Sequence, residues 1–329
     1  MPTPVLICDD SSFAQKQMAR ALPDDWDVTL SFAANGAEGL DALRAGKGDI
    51  LFLDLNMPVL DGYQVLETIR REDLNTMVIV VSGDIQPEAR TRVLALGALD
   101  FIKKPIDADK IGEILDKYGI RGAPGQTQPD IDFKVDALDR IQEIANVAMG
   151  RAGDLLARLL GAFVKLPGPK VRMIEGRDLH MRLSAIEAST AVSAVCQGFI
   201  GAGIAGEAML TFSESSFADI ATLMRHEGEI DDNAELELLM DISNILIGAC
   251  LKGVADQLDI SFSQGHPIIL GRHVNISELL DYDTSRWNRT LAIEIEYRIE
   301  NRNIDCDLML LFSEDSLDAL HERTSFLDF

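Results

Sequence analysis

Aspartates, a serine and a lysine stand along the first 105 residues as the parts of a phosphoryl-transfer site. Asp9 and Asp10 close one apolar run, Asp54 closes another, Ser82 a third, and Lys104-Pro105 follows a fourth. Three carboxylates with oxygen-only chemistry make a hard-cation site, best suited to Mg2+ with retained waters. A carboxylate in that setting is a nucleophile toward phosphorus, with the metal and Lys104 offsetting charge on the transferring group. Ser82 can donate to a phosphoryl oxygen. Pro105 suits a cis turn that aims Lys104 inward.

The second half carries another chemical pattern, twice. Asp139, Glu143, Asn146 and Pro169 follow the spacing acid-x3-acid-x2-Asn-x22-Pro. Glu237, Asp241, Asn244 and Pro267 repeat it 98 residues later. On a helix, positions i, i+4 and i+7 share a face. Each copy therefore presents acids and a carboxamide side by side. An acid can grip a lysine, and a carboxamide can both donate to and accept from a water molecule. The two halves are chemically matched: one makes an aspartyl phosphate beside a lysine, the other can dock on it.

The elements that must position these residues follow from the apolar periodicity. Residues 5–8, 28–32, 50–54, 78–82 and 99–102 read as strands buried on both faces, with helices at about 12–21, 37–45, 63–71, 87–96 and 109–117. Five βα units predict an α/β doubly wound, five-stranded parallel sheet. Ligands of such sheets bind beyond the carboxyl ends of the strands, where the acids, Ser82 and Lys104 fall. RGAPGQTQPD (121–130) reads as a linker. Residues 131–329 then read as an internally duplicated α+β domain with pseudo-twofold symmetry, its repeats at about 131–224 and 233–323. The acid–Asn helices (134–160 and 233–258) correspond, as do the segments around Phe212 and Phe312. GAGIAG (201–206) matches a dinucleotide-binding glycine pattern, but strand-like sequence lies on both sides, so it reads as a hairpin.

Composition excludes several classes. A net charge of −24 argues against nucleic acid or anionic membrane as partner, since both need clustered Lys and Arg. No apolar run approaches the roughly 20 residues that span a bilayer, and the first residues lack the basic region of a signal peptide. Cys8, Cys196, Cys250 and Cys306 show no CxxC spacing and read as buried reduced thiols. The five histidines show no zinc spacing. Trp26 and Trp287 read as packing residues, and 277–283 as a solvated loop. A cytoplasmic location is expected.

Two resemblances sharpen these readings. The series DD…LDLNMPVLDG…VSG…FIKKP resembles the CheY-like receiver domain of two-component response regulators over residues 1–120. That resemblance implies Asp54 as phosphoacceptor, with Asp9, Asp10, Asp54 and the backbone carbonyl of Asn56 around Mg2+. It also implies Ser82 and Phe101 as switch residues, Lys104 as phosphate contact, and a histidine kinase as phosphodonor. The run from Asp139 to Pro169 resembles the CheC/CheX/FliY chemotaxis phosphatases, and the likeness covers about 131–329. It implies hydrolysis of a receiver's aspartyl phosphate, with Asn146 orienting water and Glu143 pairing with the receiver lysine. Asn244 and Asp241 take those roles in the second copy, where Asp241 departs from the family's Glu. Asp139, Pro169, Glu237 and Pro267 support the motif.

The expected protein is a response regulator whose phosphatase domain acts on a CheY-type receiver or on its own Asp54, in cis or across a homodimer. The ten-residue linker has a reach of roughly 16–19 Å, which permits docking in cis without requiring it. The rival expectation is a catalytically inactive, phosphorylation-gated module that docks a chemotaxis partner.

Overall fold

The computed structural model describes residues 2–120, 136–174, 192–213, 216–224, 226, 231–274, 290–302 and 304–325. They fall into two compact units, Met1–Val147 and Ala148–Phe329. The division lies within one helix, Ala137–Leu160. About three turns of that helix therefore belong with the first unit. The expected linker 121–130, the 277–283 loop and Trp287 lie outside the described residues.

In the first unit, strands β1 (Thr3–Cys8), β2 (Val28–Ala33), β3 (Ile50–Leu53), β4 (Met77–Ser82) and β5 (Asp100–Lys103) alternate with helices α1 (Ser12–Ala21), α2 (Gly36–Arg44), α3 (Gly62–Glu72), α4 (Pro87–Leu96) and α5 (Ala108–Lys117). The sheet is parallel throughout, in the order β2-β1-β3-β4-β5. Continuous apolar strands allow a core on each face. Leu6, Leu51, Leu53 and Val80 face one, and Val5, Ile7, Phe52, Ile79 and Trp26 the other. The strand order reverses between β1 and β3, which opens a crevice at their carboxyl ends. Each helix next to that crevice begins on a side-chain cap: Ser11 for α1, Asn35 for α2, Asp61 for α3.

The second unit is built on an eight-stranded sheet. Hairpins β8 (Val192–Gly201)–β9 (Ile204–Ser213) and β12 (Thr290–Ile299)–β13 (Asp305–Phe312) join through β9 and β13. Met209 lies opposite Met309 in that antiparallel pair. Residues 100 apart thus face each other, which places the axis of the duplication between the two central strands. Each repeat's short strands pair with the other repeat's hairpin. β6 (Val164–Lys165) and β7 (Lys170–Ile174) pair with β12, and β10 (Ser263–Gln264) and β11 (Ile268–Val274) with β8. Helix α6 (Ala137–Leu160) opens the first repeat and α7 (Ser216–Leu223) closes it. Helices α8 (Asp232–Leu258) and α9 (Leu317–Ser325) do the same for the second. The motif prolines occupy matching places: Pro169 directly precedes β7 and Pro267 directly precedes β11. A residue without an N–H is tolerated at a strand start. Ala202 and Gly203 form a two-residue turn with positive φ at both positions, so GAGIAG is a hairpin.

Two expectations change. Helix α8 is long and apolar enough to cross a membrane by length and composition, contrary to the reading that no such run exists. However, 61% of its most apolar stretch is buried, as befits a core helix in an α-on-β layer. Cys196 is only half-buried, whereas Cys8, Cys250 and Cys306 are buried; all four are free thiols.

Candidate functional site

The carboxyl ends of β1, β3, β4 and β5 bring Asp9, Asp54, Ser82 and Lys104 together. Asp9 is held from three sides: its Oδ1 accepts from the Ser11 N–H at 2.9 Å, its carbonyl from Gln15 Nε2 at 2.7 Å, and its Oδ2 from Lys104 Nζ at 2.7 Å. Asp54 Oδ2 accepts from the Asn56 N–H at 2.9 Å, and its Oδ1 stands 3.4 Å from Lys104 Nζ. Gly62 starts α3 so close to this strand end that an added Cβ would lie 2.4 Å from the Asp54 carbonyl oxygen. Ser82 Oγ accepts from the Asp84 N–H, and the Lys104 N–H donates to the Ser82 carbonyl. The Lys104–Pro105 bond is cis, as Pro105 suggested.

The N-terminal turns of α6 complete this cluster within the first unit. Asp136 caps the helix, accepting from the Asp139 N–H at 2.9 Å. Glu143 Oε2 then lies 3.2 Å from Lys104 Nζ. One turn earlier, Asp139 Oδ2 accepts from Ser12 Oγ at 2.5 Å. One turn later, Asn146 is buried, and its Oδ1 has no hydrogen-bond partner among the described residues. Its backbone packs on Gly83, where an added Cβ would stand 2.9 Å from the Asn146 carbonyl oxygen. Asp139, Glu143 and Asn146 thus share the helix face that their spacing predicted, and that face meets the strand ends.

Three carboxylates around one ammonium set the electrostatics. The Lys104 side chain is fully buried. Burial opposes its charge, yet Asp54, Asp9 and Glu143 hold its pKa well above the ordinary lysine value. Burial pushes Glu143 up, with Lys104 opposing and Asp54 adding to the rise. Asp9 is raised by burial in the same way, against the pull of Lys104. Asp10 is pushed up to about 7, first by burial and then by Asp54. The cluster is short of positive charge and gains from any cation or proton that enters it.

Other expected residues lie outside these hydrogen bonds and ion pairs. Phe101 is buried in β5 opposite Val80 of β4. Pro169 is buried and Pro267 half-buried. In the second unit, Glu237, Asp241 and Asn244 lie exposed on one face of α8. The two copies of the motif are therefore in different states: the first engaged on a lysine, the second open. Ser12 and Gly83 were missed by the sequence reading. Gly83 adjoins Ser82 and Ser12 lies two residues after Asp10, but nothing in their type announces contact with residues more than sixty positions away.

Residues 5–116 match the response regulator receiver domain family. The chemotaxis protein CheY of Treponema pallidum is 33% identical over 114 residues, which make up 34% of this chain and 79% of that protein. The chain belongs to the response regulator receiver family. Of the protein-glutamate methylesterase/protein-glutamine glutaminase 2 of Koribacter versatilis, 34% identical over 148 residues, the chain spans 40% while 42% of the chain is matched. Among solved structures, Thermotoga maritima FliY is similar at 20% identity with a TM-score of 0.43, covering 59% of this chain and 98% of that one.

Receiver domains bind Mg2+ at the phosphorylation site, and the donors here fit a hard dication in kind. Asp9, Asp10, Asp54 and the Asn56 carbonyl offer only oxygen. Asp54 Oδ1 is buried without a hydrogen bond, and burial, with Asp54 and Glu143 adding, raises Asp9 and Asp10. Among the described residues no three His, Cys, Asp or Glu side chains stand grouped as metal ligands. In this receiver Lys104 already bridges Asp9 and Asp54.

Proposed function

We propose that this response regulator limits the lifetime of its own aspartyl phosphate, and acts on a separate CheY-type receiver through its second acid–Asn set, in chemotaxis signalling. The organisation is a receiver (1–120), a linker (121–130) and a CheC-like phosphatase domain (131–329), in the cytoplasm. A histidine kinase supplies the phosphoryl group to Asp54. The observation that carries the reading is the contact of Glu143 with Lys104, which brings the buried Asn146 to the same strand ends.

An acyl phosphate is already activated, so its hydrolysis needs a positioned water more than a strong base. Glu143 docks the helix by charge pairing with Lys104. Asn146 has an unpaired Oδ1 to accept from a water, and its amide group can donate as well. The water oxygen forms the new bond to phosphorus as the bond to the Asp54 carboxylate oxygen breaks. The Asp54 carboxylate is regenerated, and the water's proton leaves with inorganic phosphate. Lys104 stays beside the phosphoryl oxygens, with Ser82 as a further donor. Asp9, Asp10, Asp54 and the Asn56 carbonyl would hold Mg2+, which supplies charge compensation when bound.

The exposed set Glu237, Asp241 and Asn244 supports action in trans, because it remains open to a second receiver. The experiment follows phosphate release with Mg2+ present, from the phosphorylated chain itself and from an added CheY-type receiver. Asn146→Ala is expected to slow release from Asp54 on the order of 100-fold. Asn244→Ala is expected to slow release from the added receiver alone. Identical release from wild type and the double Asn→Ala variant would sink the phosphatase reading and leave a docking module.

A further inference from the structure

Two receiver residues with no chemistry of their own set how the first acid–Asn helix arrives. Ser12 opens α1, and its hydroxyl donates to Asp139 one turn before Glu143. Gly83 follows Ser82, and an added Cβ there would stand 2.9 Å from the Asn146 carbonyl oxygen and 3.3 Å from the Val147 Cα, one turn after Glu143. Both obstacles are backbone and cannot rotate aside, so any side chain at position 83 must push the helix away. Ser12 and Gly83 thus bracket the Lys104 contact.

We propose that Ser12 and Gly83 are the specificity-determining residues of this receiver. They admit an acid–Asn helix whose first acid is short and whose second is long, and they reject the reverse arrangement. The proposal rests on the phosphatase reading above. Its second support is an exchange between the two copies. The first copy carries Asp139 then Glu143, and the second carries Glu237 then Asp241. With the helix held at Gly83, Ser12 meets a one-methylene acid and Lys104 is reached by a two-methylene acid. Copy two would overrun the hydroxyl and fall short of the lysine, each by roughly one carbon–carbon bond, ~1.5 Å. A misplacement of about 1 Å costs on the order of 100-fold in rate. The second copy therefore serves a receiver with a different contour at these two positions.

The test uses the full-length chain, phosphorylated with phosphoramidate and Mg2+, following both loading and decay at Asp54. Ser12→Ala and Gly83→Ala should each slow decay about tenfold or more while loading persists. Ser12→Thr, which keeps the hydroxyl, should decay like wild type. The double variant Asp139→Glu/Glu143→Asp should match Gly83→Ala. In an Asn146→Ala background, Gly83→Ala should add nothing, which a merely destabilised receiver would not reproduce. Amide exchange across residues 139–147 reads docking apart from catalysis, and should accelerate in Ser12→Ala and Gly83→Ala. Wild-type decay with unchanged exchange in both variants would overturn the proposal. Should Asn146→Ala itself decay like wild type, the phosphatase reading falls, and the exchange result alone decides the roles of Ser12 and Gly83.

Discussion

Asp100 shows how a single residue of the receiver ties stability to pH. It is buried at the start of β5, with Oδ1 accepting from the Phe101 N–H at 2.9 Å and Oδ2 from Lys117 Nζ at 2.8 Å and Tyr118 Oη at 3.2 Å. Burial alone would raise its pKa, but the bond from Lys117 and the others outweigh burial and hold it below the ordinary carboxylate range. A depressed native pKa means that the carboxylate's contribution is present above pH ~4 and is lost as pH falls through the lower native value. Asp100→Asn is expected to lower stability by about 1–2 kcal/mol at pH 7, after allowing for the exposed Lys117. Urea denaturation should show that loss shrinking by pH 3. An equal loss at both pH values would mean that the carboxylate charge is irrelevant there.

Among the elements, α8 allows opposite outcomes from one substitution type. At Gly253 an added Cβ would meet Ala148 at 2.7 Å from its Cα and 2.9 Å from its Cβ. The duplicated helices α6 and α8 approach at that point too closely for a methyl group. At Gly248 the nearest atom is the flexible Gln264 Oε1 at 4.0 Å. Alanine gains about 1 kcal/mol over glycine within a helix, and overpacking costs about 1–3 kcal/mol. Gly248→Ala should therefore stabilise the protein by about 0.5–1 kcal/mol, and Gly253→Ala should destabilise it by about 1 kcal/mol. Denaturant midpoints of the two variants check this, and equal shifts would refute the close helix approach. The same helix shows where reading from composition ends. Its apolar content signals burial, but whether lipid or a β-sheet covers it depends on what packs against it. Leu238, Ile242, Leu246 and Leu251 are buried within the folded unit.

For the whole molecule, charge is the dominant global term. Acids outnumber bases 54 to 30. Exposed ion pairs such as Arg44–Glu72 are individually weak and leave the net surplus of acids in place. Self-repulsion should therefore lower stability at low ionic strength, and screening should recover it. Thermal melts in 20 mM and 500 mM NaCl are expected to show a rise of roughly a few degrees with salt. A fall would mean that specific ion pairs outweigh the net charge.

Much of this protein was legible from local pattern, because local pattern is what strands and helices are made of. The five apolar runs and the helical periods reflect burial on one face or two, and Asp9, Asp54, Ser82 and Lys104 fall at strand ends for that reason. The i, i+4, i+7 spacing likewise placed Asp139, Glu143 and Asn146 on one face before any partner was known. What sequence could not decide was which face meets which. Two copies of one motif share their spacing, yet Glu143 is buried against Lys104 while Asp241 is exposed. That difference, together with the roles proposed for Ser12 and Gly83, arises from contacts between residues tens of positions apart. Such contacts depend on the closeness of backbones and on the length of a carboxylate arm. Those are properties of the tertiary arrangement, and no periodicity in the chain encodes them.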